Sequence, residues 1–591
     1  MHRYVRATDS TAGRVVAPAT GRRAPAKGRM SPLLRTLVLS PACLVACSSD
    51  PAATTTDAPE GAPVWYPEVQ TIVVQSCGGC HTERGDAPFP LDIYAFAGPL
   101  AETMLASVED GSMPPWHADP ACQSFAGERL FTDAQKATLR AWADAGAPEG
   151  DPRDAATIEP PPRIRFTPTM TGSVGGYKPP AVNLDDWRCF IFPDIQFTEE
   201  TWLVGSEVVP GSKAVHHVLV YALPAEYAAA AQAADDAEAG PGYTCLGALL
   251  PGMSEPMGMG TGLPDIDSYP TQIGVWVPGL EPELLTDGTA RRIAPGSVVI
   301  AQVHYSMLYV DPEEDLTEVR LLRSDPPPAR LRITSELNYA DLDIPAGQNP
   351  VSFTRQVPYY AERPLELVSF LGHAHMLASS MDLRAVASDA QETCLVDIPR
   401  WDFHWQQRYS KPSGEAIAVP SGSALELTCT YDNSPENQPL VDGVQQAPRD
   451  VGWGESSLDE MCLLYLERLE DYAPLSAAPQ AKCAASAGCL AACQGSATEC
   501  LLGCEDTEYA CIACVVNAAP SCAPTCVAPL ASAFTCVERC VFSKLMLGGN
   551  FGACMAAECG DTYAEFAACL DGQLAPGGAC VDPFTACGVT L

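Results

Sequence analysis

Between residue 164 and about residue 470, short apolar runs alternate with Gly, Pro and Asp turns. Ser297-Val-Val-Ile-Ala-Gln-Val-His-Tyr305 is typical: it is rich in β-branched residues, and side chains two apart share a face. The pattern predicts antiparallel β-sandwiches, and a break at Pro326-Pro327-Pro328 divides them into two domains, 164–325 and 329–472. On either side the periodicity changes. Residues 64–155 carry helical signals and end in a helix capped by Thr132, with Leu139 and Trp142 on its apolar face and Gly146 as its stop. From 475 to 591 the chain is Ala- and Cys-rich, and Cys-x3-Cys recurs at 489/493, 500/504, 522/526 and 536/540. Cysteines four apart lie on one helical face, so two such helices can be stapled into a hairpin. Residues 48–63 read as a tether, and 151–163, around Pro160-Pro161-Pro162, as a stiff linker. The expected fold is multidomain with a mainly β core: a small all-α domain, two antiparallel, jelly-roll-like β-sandwich domains, and an α-helical, disulfide-rich tail.

A chain of 591 residues exceeds one core and suits about three to five domains. Its formal charge of −38 and pI near 4.4 argue against nucleic acid or an anionic membrane surface as partner. With 47% apolar residues the chain can fill several cores, which sets disorder aside. Residues 1–47 read as a leader in which either Met1 or Met30 can serve as the start. Arg35 gives a short positive region, and Leu37-Val38-Leu39 open an apolar one that runs to Leu44-Val45-Ala46-Cys47. This resembles a bacterial lipoprotein signal, in which Cys47 becomes the lipidated first residue of an exported outer-membrane protein facing the periplasm or cell surface. An ordinary cleaved signal with an incidental cysteine is the plainer alternative. No later segment has the ~18 apolar residues of a membrane-spanning helix, so the expected membrane contact is by lipid anchor only. An oxidising destination agrees with the 26 cysteines. Apart from Cys43, Cys47, Cys77 and Cys80, six fall between Cys122 and Cys462 and sixteen from Cys483 onward, both even numbers. The tail spacing resembles twin Cys-x3-Cys α-hairpin modules, with the pairing open.

Cys77-Gly-Gly-Cys80-His81 has the form of a covalent haem attachment sequence: two thiols bond the porphyrin edge and the adjacent imidazole ligates iron. In Gly111-Ser-Met113-Pro-Pro-Trp116, Met113 offers a thioether as sixth ligand, with His117 the competing donor. The order of attachment site, Met loop and closing helix resembles small bacterial cytochromes c, and implies one haem c. A disulfide or a zinc half-site is the structural alternative for Cys77 and Cys80. Cys511-Ile-Ala-Cys514 is followed by Val515 and is not a second attachment site.

The chain has only 9 histidines, and five fall in three further motifs. They are Lys213-Ala-Val-His216-His217-Val218, Gln302-Val-His304-Tyr305 and Leu371-Gly-His373-Ala-His375-Met376. His373 and His375 are two apart, so on a strand both face one ion. His216 and His217 point to opposite faces of a regular strand, so both can ligate only near a strand end or a bulge. Imidazole-rich sites suit copper or zinc, and a thioether ligand tilts the choice to copper(I). His404, in Trp401-Asp-Phe-His-Trp405, reads as a buried hydrogen-bonded histidine, and Met253, Met257 and Met259 as incidental residues of a Gly/Pro loop.

The order His-His, single His, His-x-His, then Asp459-Glu460-Met461-Cys462, resembles the copper type II, ascorbate-dependent monooxygenases, the family of peptidylglycine α-hydroxylating and dopamine β-monooxygenases. The resemblance covers roughly residues 165–470. It implies two copper ions facing each other across a solvent cleft: one on His216, His217 and His304 that passes electrons, and one on His373, His375 and Met461 that binds O2 and is catalytic. It also implies disulfides Cys189–Cys245 and Cys429–Cys462, and a substrate contact at Tyr465. Leu371 and Leu463 stand where the peptide-amidating members place an Arg and an Asn, which removes a carboxylate anchor and points to a neutral or hydrophobic substrate. Expected partners are a small-molecule or peptide substrate, O2, and an ascorbate-like or protein reductant, with electrons supplied through the fused haem. A non-catalytic copper and haem lipoprotein, for electron transfer or copper homeostasis, is the second reading. A third makes the Cys-rich tail primary, as a surface interaction module.

Overall fold

The alternating runs become strands β1 (Asp185–Gln196), β2 (Thr201–Val209), β3 (Val215–Leu223), β4 (Thr271–Trp276), β5 (Thr289–Ile293), β6 (Val298–Ser306) and β7 (Glu318–Ser324). After the proline break come β8 (Arg330–Asn338), β9 (Val351–Tyr359), β10 (Leu365–His373), β11 (Ala378–Val386), β12 (Glu392–Ile398), β13 (Ser423–Tyr431) and β14 (Leu463–Asp471). This computed structural model describes residues 61–472, apart from 84–86, 88, 160, 162, 182–183, 247, 251–269, 308–309, 362 and 442. Beyond 472 it describes 498, 511, 522–523, 526, 534–587 and 589. The leader, Cys47, the Met253–Met259 loop and the tail cysteines at 489/493 and 500/504 lie outside the described residues.

In the first sandwich, β1, β6, β3 and β4 form an antiparallel sheet, and β7, β2 and β5 belong to the sheet facing it. Alternate residues such as Phe190, Val218, Val220, Val303 and Leu321 close the core between them. In the second, β9, β13, β11 and β12 face β8, β14 and β10, over a core that includes Phe370, Leu383, Leu427 and Leu464. The sandwiches are not separate. β5 pairs in parallel with β8, Thr289 with Arg330 and Ala290 with Leu331, so one ten-stranded sheet runs through both. That parallel junction departs from the all-antiparallel expectation.

Behind the junction lies a buried charge cluster. Glu467 accepts from Arg291 and, at 3.2 Å, from Arg332. Arg332 also reaches Asp287 at 2.7 Å, and Glu283 pairs with Arg291 at 3.0 Å and Arg408 at 2.8 Å. Burial works against the charge on Glu283, but Arg291 and Arg408 outweigh it and bring its pKa down from 4.5 to about 2. A depressed carboxyl pKa stabilises the fold above the ordinary value and loses that contribution as pH falls through the folded one. Stability measured by urea midpoint is thus expected to drop between about pH 4.5 and 2. Glu283→Gln should be less stable at pH 7 and flatter across that window; an unchanged acid limb would refute the assignment.

The helical segment contains α1 (Gln70–Cys77), α2 (Ala101–Glu109) and α3 (Asp133–Asp144). Thr132 and Gln135 form a reciprocal capping box at α3, Leu139 and Trp142 are fully buried, and Gly146 follows at φ 81°. The segment also packs on the second sandwich. Trp116, Ala118 and Phe125 insert into the second sandwich's core, Cys122 is bonded to Cys394, and Asp119 N–H donates to the Asp397 carbonyl at 2.8 Å. In the tail, α4 (Phe534–Leu547) and α5 (Phe551–Leu574) form the stapled hairpin, but Cys536 and Cys540 pair with Cys559 and Cys554, whose spacing is not the recurrent one. Cys522 and Cys526 reach Cys580 and Cys569. The hairpin seats on the second sandwich through Phe542, Met546 and Leu547.

Candidate metal centres

The first centre depends on a bulge in β3. Against β6, Val215 pairs with Tyr305 and His217 with His304, which leaves His216 as the extra residue. This is the distortion that an adjacent histidine pair needs if both imidazoles are to converge. They do: one nitrogen each of His216, His217 and His304 lie within 4.8 Å of one another. The Nδ1 atoms of His216 and His217 are 3.2 Å apart, close to the separation of two nitrogens sharing an ion at about 2.0–2.1 Å. His304 is oriented from behind. Its Nε2 meets Asp185 at 2.9 Å and its ring stacks on Trp187 at 4.0 Å, leaving a buried Nδ1 without a hydrogen-bond partner among the described residues. A carboxylate on the far nitrogen fixes the tautomer and ring of a ligating histidine.

The second centre sits where β10 ends. His373 is the strand's last residue, opposite Leu463 on β14, and Ala374 turns into the core so that His375 faces the same side. His373 Nδ1 meets Gln406 at 2.8 Å and His375 Nδ1 meets the Asp459 carbonyl at 3.0 Å, so each keeps Nε2 for another partner. The buried Glu460 side chain ties this site together. It accepts from the backbone N–H groups of His375 (2.9 Å), Leu377 (2.6 Å) and Met461 (3.2 Å). One carboxylate thus holds the chain of Met461 beside that of His375. Burial raises its pKa to about 8, against the opposing pull of those amides. Tyr431 donates to the Met461 carbonyl at 2.7 Å, and the Cys429–Cys462 bond fixes the next residue. The Cys189–Cys245 bond is also present, on the β1 side of the first centre.

Burial, then neighbouring imidazoles, hold His216 and His217 well below the ordinary histidine range. Burial brings His373 to about 4 and His375 to about 3. Neutral imidazole is the ligating form, so these four rings need give up no proton to a metal at neutral pH. Asp185 is buried too, yet the bonds from His304, Ser457 and Ser456 keep it near 2, fully charged.

A solvent cleft does not separate the two centres. His217 and His373 have ring centroids 5.4 Å apart, and His216 stacks on Phe403 of the second sandwich at 4.4 Å. The shared sheet and the bonds from Ser456 and Ser457 to Asp185 bring the faces together. His404 also differs from expectation. Neighbouring Phe403 turns inward and His404 outward, where it is exposed and 3.5 Å from Asp402. Tyr465 faces the first sandwich, hydrogen-bonded to Tyr221, with Leu371 its cross-strand neighbour. Asp185, Trp187 and Gln406 carry no motif spacing, and Glu460, inside the Asp459–Cys462 motif, had no role of its own. A Trp two before Cys189 on the same face was the one available hint.

At the other end, Cys77 closes α1 and a tight turn follows, with Cys80 N–H and His81 N–H both on the Cys77 carbonyl, at 3.1 and 2.9 Å. Both cysteines carry thiols rather than a disulfide, and burial raises that of Cys77 to about 12. Among the described residues no compact His/Cys/carboxylate cluster of zinc type includes them. His81 Nδ1 meets the Phe89 carbonyl at 3.0 Å beside the Phe89 ring, 39% exposed, which leaves Nε2 available. These residues fit a haem c. Met113 N–H donates to Ser107 at 3.0 Å, and His117 is buried beside Arg400 and Asp402.

No curated protein matches the chain. Among solved structures, capsid protein P2 of bacteriophage PM2 is 7% identical over 49% of this chain and 98% of its own, at TM-score 0.19. Allantoicase is 11% identical over 53% and 85%, at 0.13. Likeness at that level carries no argument. Residues 340–487, which include His373, His375 and Met461, match the family described as copper type II ascorbate-dependent monooxygenase, C-terminal domain, and the general function this supports is that of a copper-dependent monooxygenase, an oxidoreductase.

Proposed function

We propose that the chain hydroxylates a C–H bond of a neutral or hydrophobic substrate with O2, using two coppers and electrons supplied through a fused haem c. The observation that carries the reading is convergence: His216, His217 and His304 bring one nitrogen each within 4.8 Å of one another, His373 adjoins His217 at 5.4 Å between ring centroids, and Glu460 ties the main chain of Met461 to that of His375. His216, His217 and His304 would hold one copper, and His373, His375 and Met461 the other; bound copper supplies one-electron chemistry and O2 activation. The chain's own work is positioning. Asp185 and Trp187 fix His304, Gln406 fixes His373, and Glu460 with the Asp459 carbonyl fixes His375 next to Met461. Phe403 stacks on His216 and lies 5.9 Å from His375, so its ring touches both sets. Leu371 and Leu463, both buried beside the second set, give the substrate side an apolar surface without a carboxylate clamp. Cys77 and Cys80 would bond the haem, with His81 and Met113 as iron ligands. Export as a lipoprotein through Cys47 completes the reading, and the reductant is ascorbate-like or an electron-transfer protein.

The purified chain is expected to carry two coppers and one haem, and to consume O2 only when substrate is present. His304→Ala should lower the copper content by about half. Metal binding and redox cycling with no substrate-dependent oxygen uptake would sink the enzyme reading and favour the non-catalytic carrier.

A further inference from the structure

One segment of the second sandwich touches both the Met113 loop and the copper histidines. Arg400 donates from its two terminal nitrogens to the carbonyls of Asp110 and Gly111, the turn that leads into Met113. Gly111 has φ 71°, a turn conformation that suits glycine. The next residue, Trp401, donates its indole N–H to the His375 carbonyl at 3.2 Å. Two positions on, Phe403 stacks on His216 at 4.4 Å and lies 5.9 Å from His375. Trp401 and Phe403 are both buried, and Trp401 N–H is held by the Ser379 carbonyl at 2.9 Å. The opposite bank is equally fixed. Cys122–Cys394, the Asp119–Asp397 backbone bond and Gln123 on the Cys394 carbonyl at 2.9 Å clamp residues 110–126 to the same sandwich.

We propose that Arg400-Trp401-Asp402-Phe403 is the electron path from the haem to the copper pair; this rests on the reading above that haem c supplies the electrons. The fused helical segment is docked rather than tethered, so transfer depends on a built route instead of on chance encounters along a flexible linker. Electrons tunnel farther through covalent and hydrogen bonds than across gaps. From Met113, two peptide bonds lead to the Gly111 carbonyl and one hydrogen bond to the Arg400 guanidinium; the Arg400 side chain and the next peptide bond lead to Trp401, whose indole hydrogen-bonds the His375 backbone carbonyl. The Phe403–His216 stack opens a parallel exit. Each passage oxidises haem iron from +2 to +3 and reduces one copper from +2 to +1. A one-electron donor of the ascorbate or redox-protein class then restores the haem.

The test is anaerobic rapid mixing of the full chain, loaded with haem and copper(II), with a substoichiometric reductant, following haem reoxidation by absorbance and copper(II) by EPR. In Trp401→Leu/Phe403→Leu the haem-to-copper rate is expected to fall at least about tenfold. Arg400→Met, which touches no copper histidine, should slow it as well and decides the case if the double variant loses metal. Wild-type rates in metal-replete variants overturn the path. If haem in the wild-type protein is never reoxidised by copper(II), the haem-supply reading itself falls.

Discussion

Met461→Leu is expected to abolish substrate-dependent oxygen uptake, by more than about a hundredfold, while the His216/His217/His304 set keeps its copper. The reasoning separates shape from chemistry. Met461 is buried, and leucine nearly conserves its volume, so the fold should lose less than about 1.5 kcal/mol. What disappears is the sulfur donor. Second-shell partners of metal ligands alone are worth about 10–100-fold in affinity or activity, and removing a ligand should exceed that. Glu460, Tyr431 and the Cys429–Cys462 bond still hold the backbone in place, so a fall in rate cannot be put down to a displaced loop. Oxygen-electrode rates with copper analysis on the same sample decide the matter. An active leucine variant would remove Met461 from the catalytic site.

Glu467→Ala should be the most destabilising single change at the sandwich junction, costing about 3–5 kcal/mol. Arg291, Arg332 and Arg408 are balanced there by Glu283, Asp287 and Glu467, all largely shielded from water. Taking away one carboxylate leaves a surplus buried cation, and no rearrangement of Glu283 or Asp287 can reach it without forsaking its own partner. Glu467→Gln keeps the shape and one acceptor and should fall between. Urea midpoints at neutral pH measure both; a loss below about 1 kcal/mol would mean that water enters the cluster and the charges are screened.

The sequence was most readable where geometry leaves few options. An adjacent His216–His217 pair can converge only near a strand end or at a bulge, and the β3 register slips at that point. The capped helix at Thr132 was equally legible, because capping chemistry is local. Partnership across the fold was not. Alternation tells which face of β5 is buried but not that its neighbour is the parallel β8. Cys122 looked like one of six cysteines, and nothing in its surroundings announced a bond to Cys394. His404 read as a buried histidine, whereas the turn at 403–404 sends Phe403 inward and His404 outward. Asp185 and Gln406 escaped notice because a single polar side chain acquires meaning only from what it touches.

The common sheet also bears on how the molecule moves. Two domains joined by a flexible strap can open like a clam, and the span between sites on facing shells then varies with every thermal swing. Here, widening the gap between His217 and His373 would have to unzip β5 from β8 and strip Asp185 of both serines. The jaws are welded at the back. The separation of the two histidine sets is set by the paired strands that carry them.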